Sequence, residues 1–203
     1  MTTILLFIII AYLMGSLSSA VITSRLFNLP DPRTQGSGNP GATNVLRLGG
    51  KKAAIITLLG DSIKGVIPIL IAKGVGLSEW GLGLTSLAAF IGHLYPVFFQ
   101  FKGGKGVATA LGCWLALSWP IGLTLMGIWL IVAMIFRYSS LAAIACAILA
   151  PPIFLPLHPL LSIPILIMST LLIYRHKKNI RNLLNKKEPK IGSSKSVAQN
   201  RAH

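Results

Sequence analysis

Seven apolar stretches alternate with shorter polar segments along the chain. They cover residues 4–24, 53–73, 81–98, 105–118, 120–136, 139–154 and 159–175. A helix that crosses a bilayer needs roughly 20 apolar residues, with about 17 as the lower end. The fourth to sixth stretches are short, and prolines separate them because proline cannot continue a helix. The pattern predicts an all-α membrane protein with seven spans, and merging the short stretches gives a five-span alternative.

The first apolar stretch has a second interpretation, a cleaved signal peptide, because residues 16–20 (SLSSA) resemble a small-residue cleavage site. However, the opening residues MTT carry no positive charge, and the first basic residues, Arg25 and Arg33, follow the stretch. This order is typical of a retained helix. It also indicates that the N-terminus lies outside the membrane.

Composition supports the membrane assignment and orients the spans. The chain is 53% hydrophobic and 11% charged, whereas soluble domains contain about 25% charged residues. Its 19 Lys+Arg against 4 Asp+Glu give a net charge of +15, which fits anionic lipid at a cytoplasmic face better than nucleic acid. With seven spans and the N-terminus outside, the inside loops are 25–52, 99–104, the loop around Arg137, and the tail from 176. Only Lys73 falls on an outside connector.

The chain divides into a membrane domain, residues 1–188, and a basic tail, residues 189–203. The tail lacks apolar periodicity, and we expect it to be disordered. The two cysteines, Cys113 and Cys146, lie in apolar stretches without metal-ligand spacing and are interpreted as small hydrophobic residues.

The first polar segment, residues 35–52 (QGSGNPGATNVLRLGGKK), is rich in groups that bind anions. Residues 36–41 match G-x-G-x-x-G, but a membrane helix rather than a strand precedes them, which excludes a dinucleotide fold. Glycine amides and neutral donors favour a phosphate, and an arginine adds a planar charged fork. The candidate ligands are Ser37, Gly38, Asn39, Asn44 and Arg47. An ordinary solvated turn with positive-inside charge is the alternative.

A second segment, residues 98–111 (FFQFKGGKGVATAL), places glycines and lysine at the start of a helix on the same face. It lacks the earlier glycine of a nucleotide-binding Walker loop. The free N–H groups of a helix N-terminus favour a bound phosphate. The candidates are Gly103, Gly104 and Lys105, with Thr109 one turn further along.

The third segment, residues 174–188 (YRHKKNIRNLLNKKE), closes the last span. His176 and Asn179 lie three residues apart on one helical face, and His176 is the titratable candidate. The alternative is a helix end with lipid-facing cations, which we prefer for Lys177, Lys178 and Arg181.

Ionisable residues also occur inside the predicted spans. Asp61 and Lys64 lie three residues apart on one face and are expected to pair, because an isolated charge at mid-membrane is costly. A structural ion pair and a functional one are both open, and the same holds for His93. We expect no role for His158 or His203.

The residue combinations that the sequence lacks exclude several classes of reaction. The four acidic residues, Asp31, Asp61, Glu79 and Glu188, are dispersed, so neither a metal site nor another cofactor is expected. No histidine has an aspartate five residues on, and no nucleophile has an evident base. Charge stabilisation of an already activated substrate, such as an acyl phosphate, fits what remains.

Three segments, GSGNPGATNVLR, GHLYPVFFQFKGGKGVAT and RHKKNI, resemble the signature motifs of the bacterial acyl-phosphate:glycerol-3-phosphate acyltransferases, the PlsY family. GDSIKG around Asp61 and Lys64 resembles that family's second-helix signature. The resemblance extends from residue 1 to about 188. In the last motif Asn182 stands where arginine is usual, and Lys186 where glycine is usual.

The resemblance implies a seven-helix enzyme of the bacterial inner membrane whose active site faces the cytoplasm. It would transfer an acyl group from acyl phosphate to the 1-hydroxyl of sn-glycerol 3-phosphate, giving lysophosphatidic acid and inorganic phosphate. By motif, the first segment would bind phosphate through Ser37, Asn39, Asn44 and Arg47. Lys105 with the Gly103–Gly104 amides would hold a second phosphate or the oxyanion, and His176 and Asn179 would orient glycerol phosphate.

Two other functions use the same residues. A transporter for phosphate or an organic anion would use the basic loops, with Asp61 and Lys64 as a gating pair, but no internal repeat is found in the sequence. A structural protein that binds anionic headgroups is the third hypothesis. The glycine and asparagine content of residues 35–50 argues against it.

Overall fold

The computed structural model describes residues 1–192 and is helical, without strands, over that range. Its helices are α1 (Thr2–Gly15), α2 (Ser19–Leu26), α3 (Ala42–Gly74), α4 (Glu79–Leu94), α5 (Val107–Leu117), α6 (Trp119–Phe136), α7 (Ser139–Phe154), α8 (Ser162–Arg175) and α9 (Lys177–Leu184). Short 3-10 helices at Val97–Phe99 and Pro159–Leu161 precede α5 and α8. The predicted all-α class is confirmed. Most of the predicted tail, together with His203, lies outside the described residues.

Fewer helices are long enough to cross a membrane than the seven that the sequence predicted. Within residues 1–192, the helical segments long and apolar enough to cross a membrane are Thr2–Leu26, Ala42–Gly74, Glu79–Phe99 and Trp119–Phe136. A fifth is obtained if Pro159–Arg175 and Lys177–Leu184, which meet at a 56° bend, are counted together. Helices α5 and α7, with 11 and 16 residues, are shorter than a usual span. The seven-span count therefore stays a prediction.

The extent of the first polar loop, predicted as residues 25–52, is wrong. Helix α3 begins at Ala42, so residues 42–49 are helical. Val45 is fully buried and packs with Ala20 and Ala53, and this burial stabilises a helix in a segment whose polar composition suggested a turn. Gly50, at φ 78°, then interrupts the helix before its long apolar part.

The first predicted span, residues 4–24, is broken between α1 and α2. The Ser16 hydroxyl donates a hydrogen bond to the Tyr12 carbonyl at 2.8 Å, a contact that often bends helices. Gly15 packs so closely on the backbone of Ala89 that a Cβ would overlap it. Inside the break, the carbonyl of Leu17 accepts a hydrogen bond from Lys64 Nζ at 2.6 Å.

Helix α3 packs against α1, α2, α4 and α5. Gly112 of α5 lies against the backbone of Ser62 of α3, with no space for a Cβ. Small residues allow such close approach between membrane helices. Large apolar side chains such as Leu59 and Met134 remain exposed on the outer faces, as expected for contact with lipid. The close packing of α3 on α5 fixes the turn that precedes α5.

Candidate functional site

The three polar segments predicted separately meet at one end of the helix bundle. Arg33, two residues before the first segment, donates a hydrogen bond from Nη1 to the carbonyl of Phe99 in the second segment at 3.4 Å. The backbone of Gly104 lies against the carbonyl of Pro40. Arg175, at the end of α8, donates a hydrogen bond to the carbonyl of Gly103 at 2.8 Å. The first and third segments are therefore joined through the second.

Asn44 holds the first segment in shape. Its side-chain oxygen accepts a hydrogen bond from the backbone N–H of Ser37 at 3.0 Å. Its amide nitrogen donates to the carbonyls of Pro32 and Gln35, each at 2.9 Å. Asn44 is only 1% exposed, and both of its N–H donors are used within the loop. The structure therefore places Asn44 beneath the loop as its support.

The remaining candidates of the first segment lie on its accessible side. Ser37 and Gly38 are exposed, and Gly38 has φ 70°, a backbone conformation that glycine adopts without strain. Asn39 and Arg47 are half-buried. Within residues 1–192 the Arg47 guanidinium donates no hydrogen bond, and its charge is near enough to lower the pKa of Lys105.

Arg175 fixes the turn that carries Lys105. Its guanidinium donates hydrogen bonds to the Gly103 carbonyl at 2.8 Å and to the Gly104 carbonyl at 3.0 and 3.2 Å. It also lies 5.6 Å from the centre of the Tyr95 ring, within cation–π range. Both glycines are buried. The turn before α5 is therefore held by the end of α8, which is distant from it in the sequence.

Lys105 lies at the centre of the convergence. Burial lowers the pKa of its ammonium from 10.5 to about 8. The Glu188 carboxylate acts in the opposite direction and raises that pKa, whereas Arg47, Arg175 and Lys178 lower it further. We call Arg47, Lys105, Arg175 and Lys178 the cationic cluster. Such a concentration of positive charge is suited to a phosphorylated ligand.

His176 and Asn179 lie at the junction of α8 and α9, beside this cluster. His176 is 2% exposed, and its Nδ1 lies 2.8 Å from the Leu172 carbonyl. A carbonyl only accepts, so Nδ1 donates, and Nε2 of the neutral ring is left as an acceptor. Asn179 Nδ2 donates to Glu188 Oε1 at 2.6 Å. The predicted pair is therefore brought to the same end of the bundle as Lys105.

Glu188 ties this junction to α7. Its Oε1 also accepts a hydrogen bond from the Ser140 hydroxyl at 2.6 Å. Its Oε2 is buried and has no hydrogen-bond partner within residues 1–192. The carboxylate is therefore fixed through one oxygen, close enough to act on the pKa of Lys105.

Thr109 is not brought to the surface of the cluster. It is fully buried on α5, and its hydroxyl has no hydrogen-bond partner in the described part of the chain. Asp61 and Lys64 form the expected ion pair, at 2.9 Å. His93 joins them, with its Nδ1 3.5 Å from Asp61 Oδ1. These three residues lie behind the cluster, inside the bundle.

Sequence reasoning missed four contributors: Arg33, Arg175, Glu188 and Lys178, the last of which was interpreted as a lipid-facing cation. Arg33 forms an ion pair with Asp31 at 2.6 Å, and the i, i+2 spacing in a proline-containing turn was the available signal. Glu188 is one of only 4 acidic residues in a chain with 19 basic ones. The small number of acidic residues was the available signal that each one has a role. Arg175 lies at helical spacing from Asn179, but nothing local in the sequence indicated that it would hold the turn before Lys105.

Comparison with known proteins connects this arrangement to one family. Residues 5–186 match the family model described as glycerol-3-phosphate acyltransferase. A glycerol-3-phosphate acyltransferase of Methylococcus capsulatus is 59% identical over 187 residues, 91% of this chain and 94% of the relative. Another, from a Janthinobacterium species, is 55% identical over 94% of this chain and 98% of the relative.

Solved structures show the same fold. The crystal structure of PlsY, an integral membrane glycerol 3-phosphate acyltransferase, in its glycerol 3-phosphate form superimposes with a TM-score of 0.88. The two chains are 42% identical over 94% of this chain and 96% of that one. The lysophosphatidic acid form gives a TM-score of 0.85 at 40% identity, over 96% of this chain and 98% of that one.

Fold and site together define an all-helical, multi-pass integral membrane protein with a cation-rich cluster at one end of its bundle. The family follows from the match over nearly the whole chain. The protein belongs to the glycerol-3-phosphate acyltransferase family, as its resemblance to the PlsY motifs predicted.

Proposed function

We propose that the protein transfers an acyl group from acyl phosphate to the 1-hydroxyl of sn-glycerol 3-phosphate. The products are lysophosphatidic acid and inorganic phosphate, and the reaction is the first acylation of phospholipid synthesis. Crystal forms of the related PlsY with glycerol 3-phosphate and with lysophosphatidic acid support this acceptor and this product. The acyl-phosphate donor is our own inference from the residues of the site.

The observation that carries the proposal is the convergence of three polar segments on Lys105. Arg47, Arg175 and Lys178 are close enough to act on its pKa. One phosphate would need fewer fixed cations than this cluster supplies. Two phosphorylated substrates, held side by side, carry enough negative charge to balance the cluster.

Within this cluster we assign the following contacts. Ser37, Gly38, Asn39 and Arg47 bind one phosphate on the accessible side of the first segment. Asn44 supports that loop from below. Thr109, which is fully buried, is left out of the assignment.

The other contacts lie on the second and third segments. Lys105 and the backbone N–H groups of Gly103 and Gly104 hold the second phosphate or the carbonyl oxygen where negative charge develops. His176 and Asn179 orient the glycerol 3-phosphate. His176 Nε2 accepts a hydrogen bond from one of the two hydroxyls of that substrate.

The transfer is direct. The 1-hydroxyl oxygen of glycerol 3-phosphate attacks the acyl carbonyl, the new C–O ester bond forms, and the C–O bond to phosphate breaks. The hydroxyl proton passes to a substrate phosphate oxygen, which serves as the base. Inorganic phosphate leaves, and no acyl group is attached to the protein at any stage.

The reaction proceeds without a metal ion. This part of the proposal rests on where the acidic side chains lie, because each of the four already has a partner in the protein. The pairs are Asp31 with Arg33, Asp61 with Lys64, Glu79 with His158, and Glu188 with Ser140 and Asn179. Clustered carboxylates of the kind that hold Mg²⁺ are not found among residues 1–192.

We further propose seven spans in a bacterial inner membrane, with the N-terminus outside and the cluster and C-terminus in the cytoplasm. The distribution of lysine and arginine supports this orientation. Residues 1–188 form the catalytic membrane domain, and Glu188 belongs to it through Ser140 and Asn179. Residues 189–203 form a basic tail.

The proposal is tested by measuring phosphate release from palmitoyl phosphate by the purified protein. Glycerol 3-phosphate, the donor and the enzyme are each omitted in turn, with a metal chelator present throughout. We expect phosphate and lysophosphatidic acid in equal amounts only when all three are present. Equal phosphate release without the acceptor, or loss of activity with the chelator, would refute the direct, metal-free transfer.

A further inference from the structure

A buried ion pair lies one layer behind the cationic cluster. Asp61 and Lys64 of α3 are 3% and 5% exposed and form an ion pair at 2.9 Å. His93 of α4 is 6% exposed, and its Nδ1 faces Asp61 Oδ1 at 3.5 Å. Two charges inside a membrane protein are costly, and a buried pair seldom stabilises a fold more than apolar residues of the same size. A role other than stability is therefore expected.

The pair is anchored on its far side by the break in the first helix. Lys64 Nζ donates to the Leu17 carbonyl at 2.6 Å, and Leu17 lies between α1 and α2. Lys64 is thus held by an ion pair with the Asp61 carboxylate and by a hydrogen bond to this carbonyl. The carboxylate is therefore held between Lys64 and His93.

His93 of this buried group contacts the turn that carries Lys105. A Cβ built on Gly103 would overlap the backbone carbonyls of His93 and Leu94. A Cβ built on Gly104 would overlap His93 Nε2, the ring nitrogen opposite the one that faces Asp61. Both glycines therefore rest on His93, one on its backbone and the other on its ring. Arg175 holds the turn from the other side through the carbonyls.

We propose that His93, which lies against the Asp61–Lys64 ion pair, is a positioning residue that sets where the Gly103–Lys105 turn places the Lys105 ammonium. The proposal rests on the proposed function, since Lys105 acts there on the substrates. It extends the site through the bundle, from the break at Leu17 to the turn before α5. A shift of about 1 Å at a reacting group can reduce turnover about 100-fold.

A double-mutant cycle separates positioning from a structural role. We expect His93→Gln to lower kcat/KM for glycerol 3-phosphate about 10- to 100-fold in the wild type. In a Lys105→Ala background, the same change should cause no further loss, because the group that it positions is gone. An equal loss in both backgrounds, or no loss in the wild type, would overturn the proposal.

His158→Gln is the matched control. His158 also pairs with a carboxylate, Glu79, at 2.6 Å, but it lies on the turn between α7 and α8 at the opposite end of α4. We expect kcat/KM to be unchanged in this variant. If His93→Gln does not yield folded protein, Asp61→Asn is put through the same cycle with the same expectations and the same refuting outcomes.

A second readout does not depend on catalysis. The rate at which a water-soluble amine-acylating reagent modifies Lys105, followed by peptide mass spectrometry, should change in His93→Gln and not in His158→Gln. An unchanged rate in His93→Gln would refute the positioning role even if the protein acylated no acceptor. If the wild-type protein is itself inactive with glycerol 3-phosphate, a changed rate in His93→Gln would support the positioning role while the proposed function is refuted.

Discussion

The guanidinium of Arg175 donates two hydrogen bonds, at 3.0 and 3.2 Å, to the carbonyl of Gly104, 71 residues earlier in the chain. The end of α8 thereby holds the residue immediately before Lys105. The planar fork of arginine suits this bidentate contact, and its charge contributes to the cationic cluster as well.

Arg175→Lys keeps the positive charge and removes the fork. We expect kcat/KM to fall about tenfold or more, because hydrogen bonds to charged groups contribute about 1.5–3 kcal/mol. Steady-state assays with both substrates varied measure this change. Arg181→Lys, on the exposed side of α9, is the control and should retain wild-type activity. Full activity of Arg175→Lys would mean that the fork does not hold the turn.

The charge on Lys105 should limit activity at high pH. The ammonium is the form that binds phosphate, and burial lowers its pKa from 10.5 to about 8. The charged fraction therefore falls as the pH rises through about 8, more than two units earlier than for a lysine in water. A pH profile of kcat/KM should show an alkaline limb near pH 8. A limb near pH 10 would contradict the lowered pKa of Lys105.

Glu188→Gln should move that limb to lower pH. The Glu188 carboxylate raises the pKa of Lys105, and a neutral amide in its place removes this effect. The pH profile of kcat/KM measures this shift. The variant is first shown to be folded by its elution as a single species. Glu79→Gln changes a carboxylate paired with His158 at the other end of α4 and should leave the limb in place. If the alkaline limb stays in place in Glu188→Gln, the Glu188 carboxylate does not affect the pKa of Lys105.

Arg47→Lys and Lys105→Ala test the two phosphate contacts directly. Removal of a donor that stabilises developing charge commonly reduces kcat about 100- to 1,000-fold. We expect Lys105→Ala to reach that range. Arg47→Lys should also lose activity strongly, because an ammonium cannot reproduce bidentate binding of phosphate. An Arg47→Lys variant with wild-type kinetics would exclude bidentate recognition at that position.

The orientation is tested with single cysteines. The native Cys113 and Cys146 are buried, so the wild type serves as the blank. Leu157, 65% exposed, lies on a connector predicted outside, and Lys187 lies at the predicted inner face. A membrane-impermeant maleimide should label Leu157→Cys in intact cells and Lys187→Cys only after permeabilisation. The reverse pattern would place the cationic cluster on the outer side.

The fold class and two members of the cationic cluster, Arg47 and Lys105, could be predicted from the sequence because their signals are local. Apolar runs mark the helices, and glycine, asparagine and basic residues mark the loops. The start of α3 at Ala42 was missed because the burial of Val45 depends on Ala20 and Ala53, which are distant in the sequence or hidden in an apolar run. Local polarity at residues 42–49 indicated a loop, and tertiary packing produced a helix.

The roles within the site were less predictable than their location. Asn44 and Ser37 have similar chemistry in the sequence, yet Asn44 is buried under the loop and Ser37 is exposed. Arg175 was not singled out as a site residue in the sequence, and its role follows from its contacts with Gly103 and Gly104. Such distinctions depend on which elements meet, and no local pattern encodes that.

The most direct test of the account is whether the protein ever carries the acyl group. The purified enzyme is mixed with palmitoyl phosphate in the absence of glycerol 3-phosphate, and again during turnover with it, then quenched and its intact mass measured. Direct transfer predicts the unmodified mass in both samples and an acylated acceptor only in the second. A protein heavier by one palmitoyl group, formed fast enough to account for turnover, would contradict it.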